Sequence, residues 1–113
     1  MSDGCLFCGI ARGDVPVPFV AQNALAVAFR DINPQAPVHV LVIPRAHAAS
    51  VLESTDSAQL DAVMQLAIEV ARAEGVAESG FRLVLNTGAD GGQSVPHLHV
   101  HVLGGRVMHW PPG

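Results

Sequence analysis

The chain has 113 residues, which suits a single domain spanning 1–113, and half of them are hydrophobic, enough for a buried core. The net charge is −4 with neutral histidines, and all six cations are arginines. That balance argues against a basic stripe for non-specific nucleic-acid binding, while backbone N–H groups and histidines can still hold a small anion. No apolar run approaches the roughly 20 residues of a membrane span, and Met1-Ser2-Asp3-Gly4 has neither the basic stretch nor the apolar core of a secretory signal. The expected setting is the cytoplasm, with no membrane and no nucleic-acid partner. A domain this small buries a limited fraction of its surface, so dimerisation would help it.

In chain order, residues 5–11 suit a short helix that stops at Gly13. Pro16 and Pro18 break the next stretch. Phe19-Val20-Ala21 reads as a short strand with a turn at Gln22-Asn23, and Leu25 to Asp31 as a second strand. Residues 33–37 form a loop, since proline fixes φ and removes a donor. The β-branched run Val38 to Ile43 is bounded by prolines and marks a strand. From Ser57 to Glu74 the period changes. Leu60, Val63, Met64, Ala67, Ile68 and Ala71 recur every three or four residues, one face of a helix, and are expected in the core. Ser54, Thr55, Asp56 and Ser57 offer N-caps, and Gly75 a C-terminal stop. Phe81 to Asn86 is a further strand, Thr87 to Ser94 a glycine-rich loop and Val95 to Leu103 a last strand. Two strands are consecutive on each side of the helix, which predicts an α+β domain with an antiparallel sheet.

The last strand carries His97-Leu98-His99-Val100-His101. Residues i, i+2 and i+4 of a strand share a face, so the three imidazoles form a row with steps of about 7 Å. Three such groups are costly to bury together unless each has a partner. Two chemistries use such a row: metal ligation by three histidines, or acid–base and nucleophilic work on phosphate. The loop before it favours the second. Gly88, Gly91 and Gly92 let backbone approach a ligand closely and turn N–H groups to an anion, and Ser94 adds a hydroxyl.

Gly91-Gly92-Gln93-Ser94-Val95-Pro96-His97-Leu98-His99-Val100-His101-Val102-Leu103 resembles the signature of the histidine-triad (HIT) superfamily. The similarity extends to Asp31-Ile32-Asn33-Pro34-Gln35-Ala36-Pro37, to His39 through His47, and to the tail Met108-His109-Trp110-Pro111-Pro112-Gly113. These segments resemble the Hint branch, the histidine-triad nucleotide-binding proteins. The resemblance implies a five-stranded antiparallel sheet with one long helix and a short N-terminal helix. It implies a homodimer sharing a continuous sheet, with the C-terminal segment of Trp110 reaching toward the partner's site. It also implies hydrolysis of purine nucleoside phosphoramidates, with an AMP- or GMP-type nucleotide as substrate. His99 is then the nucleophile, His101 and Ser94 contact the phosphate, and His39 is a further histidine near the triad. Asp31 holds the ribose hydroxyls, and Ile32, Phe7, Ile10, Phe29 and Leu41 wall the base. Asn86 and the Gly92 region, with Gln93 and Val95, line the phosphate side.

On this scheme His99 attacks the α-phosphorus with one ring nitrogen while the other donates to a carbonyl that fixes the tautomer. No catalytic metal is expected. Without a lysine clamp or a P-loop, kinase-type transfer is disfavoured. The alternatives are a dinucleoside polyphosphate hydrolase of a sister branch, a nucleotide-binding regulatory module whose hydrolysis is incidental, and a metal-binding protein that uses the triad as ligands.

Cys5 and Cys8 are the only cysteines. Spaced Cys-x-x-Cys, they read as metal ligands or a redox pair, or as small buried hydrophobes. The family resemblance adds His47 and His97, which with the two cysteines form a structural zinc site in several bacterial relatives. His97 would then be withdrawn from the chemistry. His109 has no role by sequence and is expected in solvent.

Overall fold

The structure is a computed structural model and describes residues 4–54 and 56–113. Thr55, one of the four N-cap candidates, and all but Gly4 of the N-terminal segment read for a secretory signal lie outside them. The elements run α1 (Leu6–Arg12), β1 (Ala21–Gln22), β2 (Ala26–Arg30), β3 (Val38–Pro44), a 3₁₀ turn (Val51–Glu53), α2 (Ser57–Ala73), β4 (Phe81–Val84), α3 (Gly88–Gly91) and β5 (Val100–Gly104). The five strands form one sheet in the order β1-β2-β3-β5-β4, and every pairing is antiparallel. This is the α+β architecture expected from the sequence. Among the described residues no helix is long and apolar enough to cross a membrane.

The central strands are apolar on both faces because both faces are covered. Ala26, Ala28, Val40, Val42, Val100 and Val102 pack under α2, against Val63, Leu66, Ala67, Val70 and Ala71. The alternate residues Val27, Phe29, Leu41 and Ile43 face the other way and pack against Phe7, Ile10 and Ala11 of α1. Period two thus sends His39 of β3 and His101 of β5 to the α1 face, with Leu41 opposite His101 in register.

The caps of α2 match expectation. Asp56 accepts the Ala58 N–H, and Gly75 leaves the helix at φ 77°, where a side chain would be strained. The buried stripe of α2 is rotated from the expected one. Met64 is 39% exposed, and Leu66 and Val70 fill the core instead. Counting from Leu60 put the face one residue to the side.

Three other expectations are corrected. The first strand is Ala21–Gln22, so Gln22 pairs with Val27 rather than turning, and Asn23 makes the turn by accepting the Leu25 and Ala26 N–H groups. The glycine-rich segment contains a helical turn, Gly88–Gly91, stopped by Gly92 at φ 79°. The last strand starts at Val100, not Val95. Before it the backbone leaves the ladder, with His97 N–H bonded to the Val95 carbonyl and Leu98 N–H to that of Ala48. The histidine row is therefore not one run of strand, because His97 and His99 precede β5.

Candidate active site and thiol–imidazole cluster

A cleft of about 370 Å³ opens on the α1 face of the sheet. Phe7, Ile10, Phe29, Leu41 and Ile32 line one part of it, and Ser94, Val95, His99 and His101 another, with Asp31 at its side. Ten of the sequence-predicted site residues thus meet in one cavity. The long apolar wall suits a flat heterocycle, and the imidazoles and hydroxyl suit an anion. Leu6, Val15 and Val17 also line it and were missed by sequence. Their signal was present in Val15-Pro16-Val17-Pro18-Phe19, whose burial alternates as in an extended segment facing the pocket. Arg30 lines the cleft too, but its guanidinium makes two bonds to Glu74, at 2.7 and 3.0 Å. The donors the cleft can offer an anion are therefore imidazole, hydroxyl and backbone N–H groups.

Asn86, Gly92, Gln93 and His39 are not cleft-lining residues. Gln93 braces the loop, its amide donating to the Ala49 and Val95 carbonyls while its oxygen accepts the Gly88 N–H. Asn86 is half-buried and Gly92 exposed. Trp110 is 82% exposed in the isolated chain, and His109 is exposed as expected, its carbonyl accepting a bond from Arg82.

Hydrogen bonds assign the ring protons. His99 is buried, and its Nδ1–H donates to the His97 carbonyl at 2.7 Å, so Nε2 carries the lone pair. Among the described residues Nε2 has no hydrogen-bond partner, yet no buried side-chain nitrogen or oxygen is left unsatisfied. Nε2 therefore keeps contact with the cleft that His99 lines. This is the carbonyl-held tautomer expected from the sequence for a nucleophilic imidazole.

A second chain of bonds runs through His39. The Gln35 N–H donates to His39 Nδ1 at 3.0 Å, so the proton of neutral His39 sits on Nε2. That Nε2–H donates to His101 Nδ1 at 2.9 Å and also faces Asp31 Oδ2 at 3.4 Å. His101 in turn carries its proton on Nε2, as a donor. Asp31, His39 and His101 lie close enough together to hold a cation. Ligation would need the lone pair of His39 on Nε2, and the Gln35 bond puts it on Nδ1. The short His39–His101 contact is accounted for by a hydrogen bond. Burial pushes His101 down to about 4, assisted by His99 and His39 and opposed by Asp31. Burial also holds His39 below the ordinary imidazole value, with Asp31 opposing. Both rings are neutral near pH 7, so His101 presents a neutral N–H.

Cys5, Cys8, His47 and His97 meet beside this cleft, their ligand atoms all within 4.8 Å of one another. His97 Nδ1 lies 3.3 Å from Cys5 Sγ, 3.4 Å from Cys8 Sγ and 3.3 Å from His47 Nδ1, and Cys8 Sγ lies 3.3 Å from His47 Nδ1. One nitrogen cannot hydrogen-bond three such neighbours. Tetrahedral zinc with ordinary Zn–N and Zn–S bonds has ligand–ligand edges of about 3.3–3.8 Å, close to these spacings. His97 Nε2–H donates to the Pro44 carbonyl at 2.9 Å, which leaves Nδ1 as the lone-pair atom, the usual arrangement of a ligating histidine. The donor set fits a closed zinc site. Burial lowers the His97 pKa, with the Pro44 carbonyl opposing and His47 and His99 adding to the shift.

The HIT domain profile matches residues 12–108, and the chain belongs to the HIT family. It is 47% identical over 115 residues to an uncharacterized HIT-like protein of Synechococcus elongatus, covering 100% of both chains. It is 42% identical over 110 residues to a purine nucleoside phosphoramidase of Escherichia coli, covering 96% of this chain and 92% of that one. Among solved structures, a HIT family hydrolase from Legionella pneumophila superposes with a TM-score of 0.93 at 48% identity, over 97% of this chain and 100% of that one. A Zn-bound histidine-triad family protein from Mycobacterium smegmatis superposes at 0.82 with 28% identity, over 94% of this chain and 78% of that one.

Proposed function

We propose that the protein hydrolyses the P–N bond of purine nucleoside 5′-phosphoramidates, of the adenosine 5′-monophosphoramidate type, through a nucleotidyl-histidine on His99. The observation that carries the reading is the His99 tautomer: Nδ1–H is held by the His97 carbonyl at 2.7 Å, and Nε2 is free toward the cleft. The E. coli relative named as a purine nucleoside phosphoramidase supports the hydrolase class and the nucleotide substrate.

In the first step the Nε2 lone pair forms a bond to the α-phosphorus and the P–N bond to the amine breaks. His101 is neutral, so the amine leaves with a proton already carried on the substrate nitrogen. His101 Nε2–H, the Ser94 hydroxyl and the backbone N–H groups of Ser94 and Val95 take up charge on the phosphoryl oxygens. Water then attacks phosphorus, the P–Nε2 bond breaks, the histidine lone pair is restored and the proton given up by the water passes to the released amine. Asp31 binds the ribose hydroxyls, and Phe7, Ile10, Phe29, Ile32 and Leu41 hold the purine.

The same reading assigns zinc to Cys5, Cys8, His47 and His97. Bound there, zinc is structural and supplies no reaction chemistry. It also assigns a homodimer. Edge strand β4 leaves one side unpaired, and Phe81, Met64 and Trp110 expose apolar surface at 37, 39 and 82%. The cytoplasm is the assigned compartment.

Rates on an aminoacyl- or tryptamine-linked adenosine phosphoramidate, measured beside diadenosine polyphosphate, test the proposal. The phosphoramidate is expected to turn over with kcat/KM at least about 100-fold higher, a difference of about 2.7 kcal/mol in transition-state stabilisation. Preference for the polyphosphate moves the protein to the sister activity. Nucleotide binding without turnover of either leaves a regulatory module.

A further inference from the structure

We infer that the Cys5–Cys8–His47–His97 cluster positions the nucleophile, setting the orientation and tautomer of His99 through the His97 peptide and the Phe7 ring. The inference rests on the reading of that cluster as a zinc site.

His99 is oriented by one hydrogen bond, from its Nδ1–H to the His97 carbonyl at 2.7 Å. That carbonyl precedes β5, which begins at Val100, so the sheet ladder does not hold it. Its placement depends on how residue 97 is fixed. The His97 side chain is completely buried and clamped on both ring nitrogens. Nε2–H is held by the Pro44 carbonyl, and Nδ1 sits amid the two sulfurs and His47 Nδ1. Coordinated, the ring is a rigid peg that aims the carbonyl of its own residue at the nucleophile. Without coordination, three potential donors and acceptors crowd Nδ1, and the Pro44 bond at Nε2 is left as the one defined hydrogen bond of the ring.

The second link runs through α1. Cys5 caps this seven-residue helix, its Sγ accepting the Cys8 N–H at 3.4 Å, and Cys8 lies one turn on. Phe7 sits between the two sulfur ligands. Its ring meets His97 edge-on at 5.9 Å and His99 at 5.3 Å, and it also lines the cleft. A helix this short draws its order from tertiary contacts rather than from its own hydrogen bonds. Fixing Cys5 and Cys8 fixes the Phe7 wall against which His99 rests. The cluster thus reaches the nucleophile from two sides, although none of its four side chains needs to touch substrate.

The test uses the full chain purified without added zinc, with metal content measured first. Wild-type protein is then compared before and after chelation, alongside His47→Ala, which removes only the exposed ligand and carries the test if the stripped wild type unfolds. Two readouts are tracked: the ¹⁵N-detected ring signals of His99 and the kcat–KM split on an adenosine phosphoramidate. Loss of metal is expected to erase the well-defined Nδ1–H tautomer and lower kcat by about tenfold or more, as loss of an orienting partner does elsewhere. Zinc is expected to restore both readouts in the stripped wild type. Stoichiometric zinc whose removal leaves the His99 ring signals and kcat unchanged overturns the inference and spares the zinc site. A full chain that retains no zinc from its host and binds none on titration overturns both.

Discussion

His99→Ala is expected to lower phosphoramidate turnover by roughly 10⁴-fold or more while leaving AMP affinity within a few-fold of wild type. The separation reflects where binding and chemistry reside. The purine wall in the proposed reading is the cleft lining Phe7, Ile10, Phe29, Ile32 and Leu41, none of which the substitution changes. Of the three triad rings, His99 alone keeps a lone pair for the proposed attack, since His101 offers an N–H toward the cleft and His97 turns its lone pair to the sulfurs. His99→Gly, which leaves a similar hole, should behave alike. Isothermal titration with AMP and initial rates on the same preparations check both halves, and turnover within tenfold of wild type would remove His99 from the role.

The second large effect concerns His101 and the ring behind it. His101→Ala removes the proposed donor to the phosphoryl oxygens and is expected to cost 10²- to 10³-fold in kcat, about 3–4 kcal/mol. His39→Ala should cost less, about 10- to 100-fold, because His39 acts only by holding His101 through the 2.9 Å bond. The double variant distinguishes positioning from an independent contribution. If His39 works through His101, its removal in the His101→Ala background should change kcat by less than about threefold. Multiplicative losses would mean that His39 contributes separately, through Asp31 or through packing.

The assignment of ring protons decides more here than the count of histidines. Side by side in sequence, the three members of the triad look equivalent. Each instead receives a different partner from outside the motif. Pro44 and the thiols take His97, the backbone of His97 takes His99, and His39, itself set by the Gln35 N–H, takes His101. A motif specifies which groups are present, and the surrounding carbonyls and amides specify which nitrogen of each is a donor.

Much of this was readable in the sequence because it depends on strong local signals. Period two gave His101 its face of the last strand, and the family resemblance put His39 near it. The stretch Leu25–Asp31 and the β-branched run Val38–Ile43 located β2 and β3, and Asp56 and Gly75 bounded α2. The cleft residues and the Cys/His cluster came from the family resemblance. What escaped depends on contacts between segments distant in sequence. Residues 95–99 carry a strand-like alternation, but Ala48 captures the Leu98 N–H and keeps that stretch out of the sheet. Met64 fits a helical stripe, yet the sheet meets α2 along the line through Leu66 and Val70. Val15 and Val17 were hidden by prolines that read as breakers, although an extended, proline-stiffened segment is what lets alternate valines face the cleft. Gln93, expected at the nucleotide, spends its amide on the loop.

The proposed covalent step on His99 is tested directly by rapid base-quench of wild-type enzyme turning over an adenosine phosphoramidate, with intact and peptide mass spectrometry of the protein kept at alkaline pH. A transient adduct of one nucleoside monophosphate is expected on the peptide containing His99, stable to base and labile to acid, and absent from His99→Ala. An adduct on another residue, or full single-turnover hydrolysis with none at any time, would contradict that role.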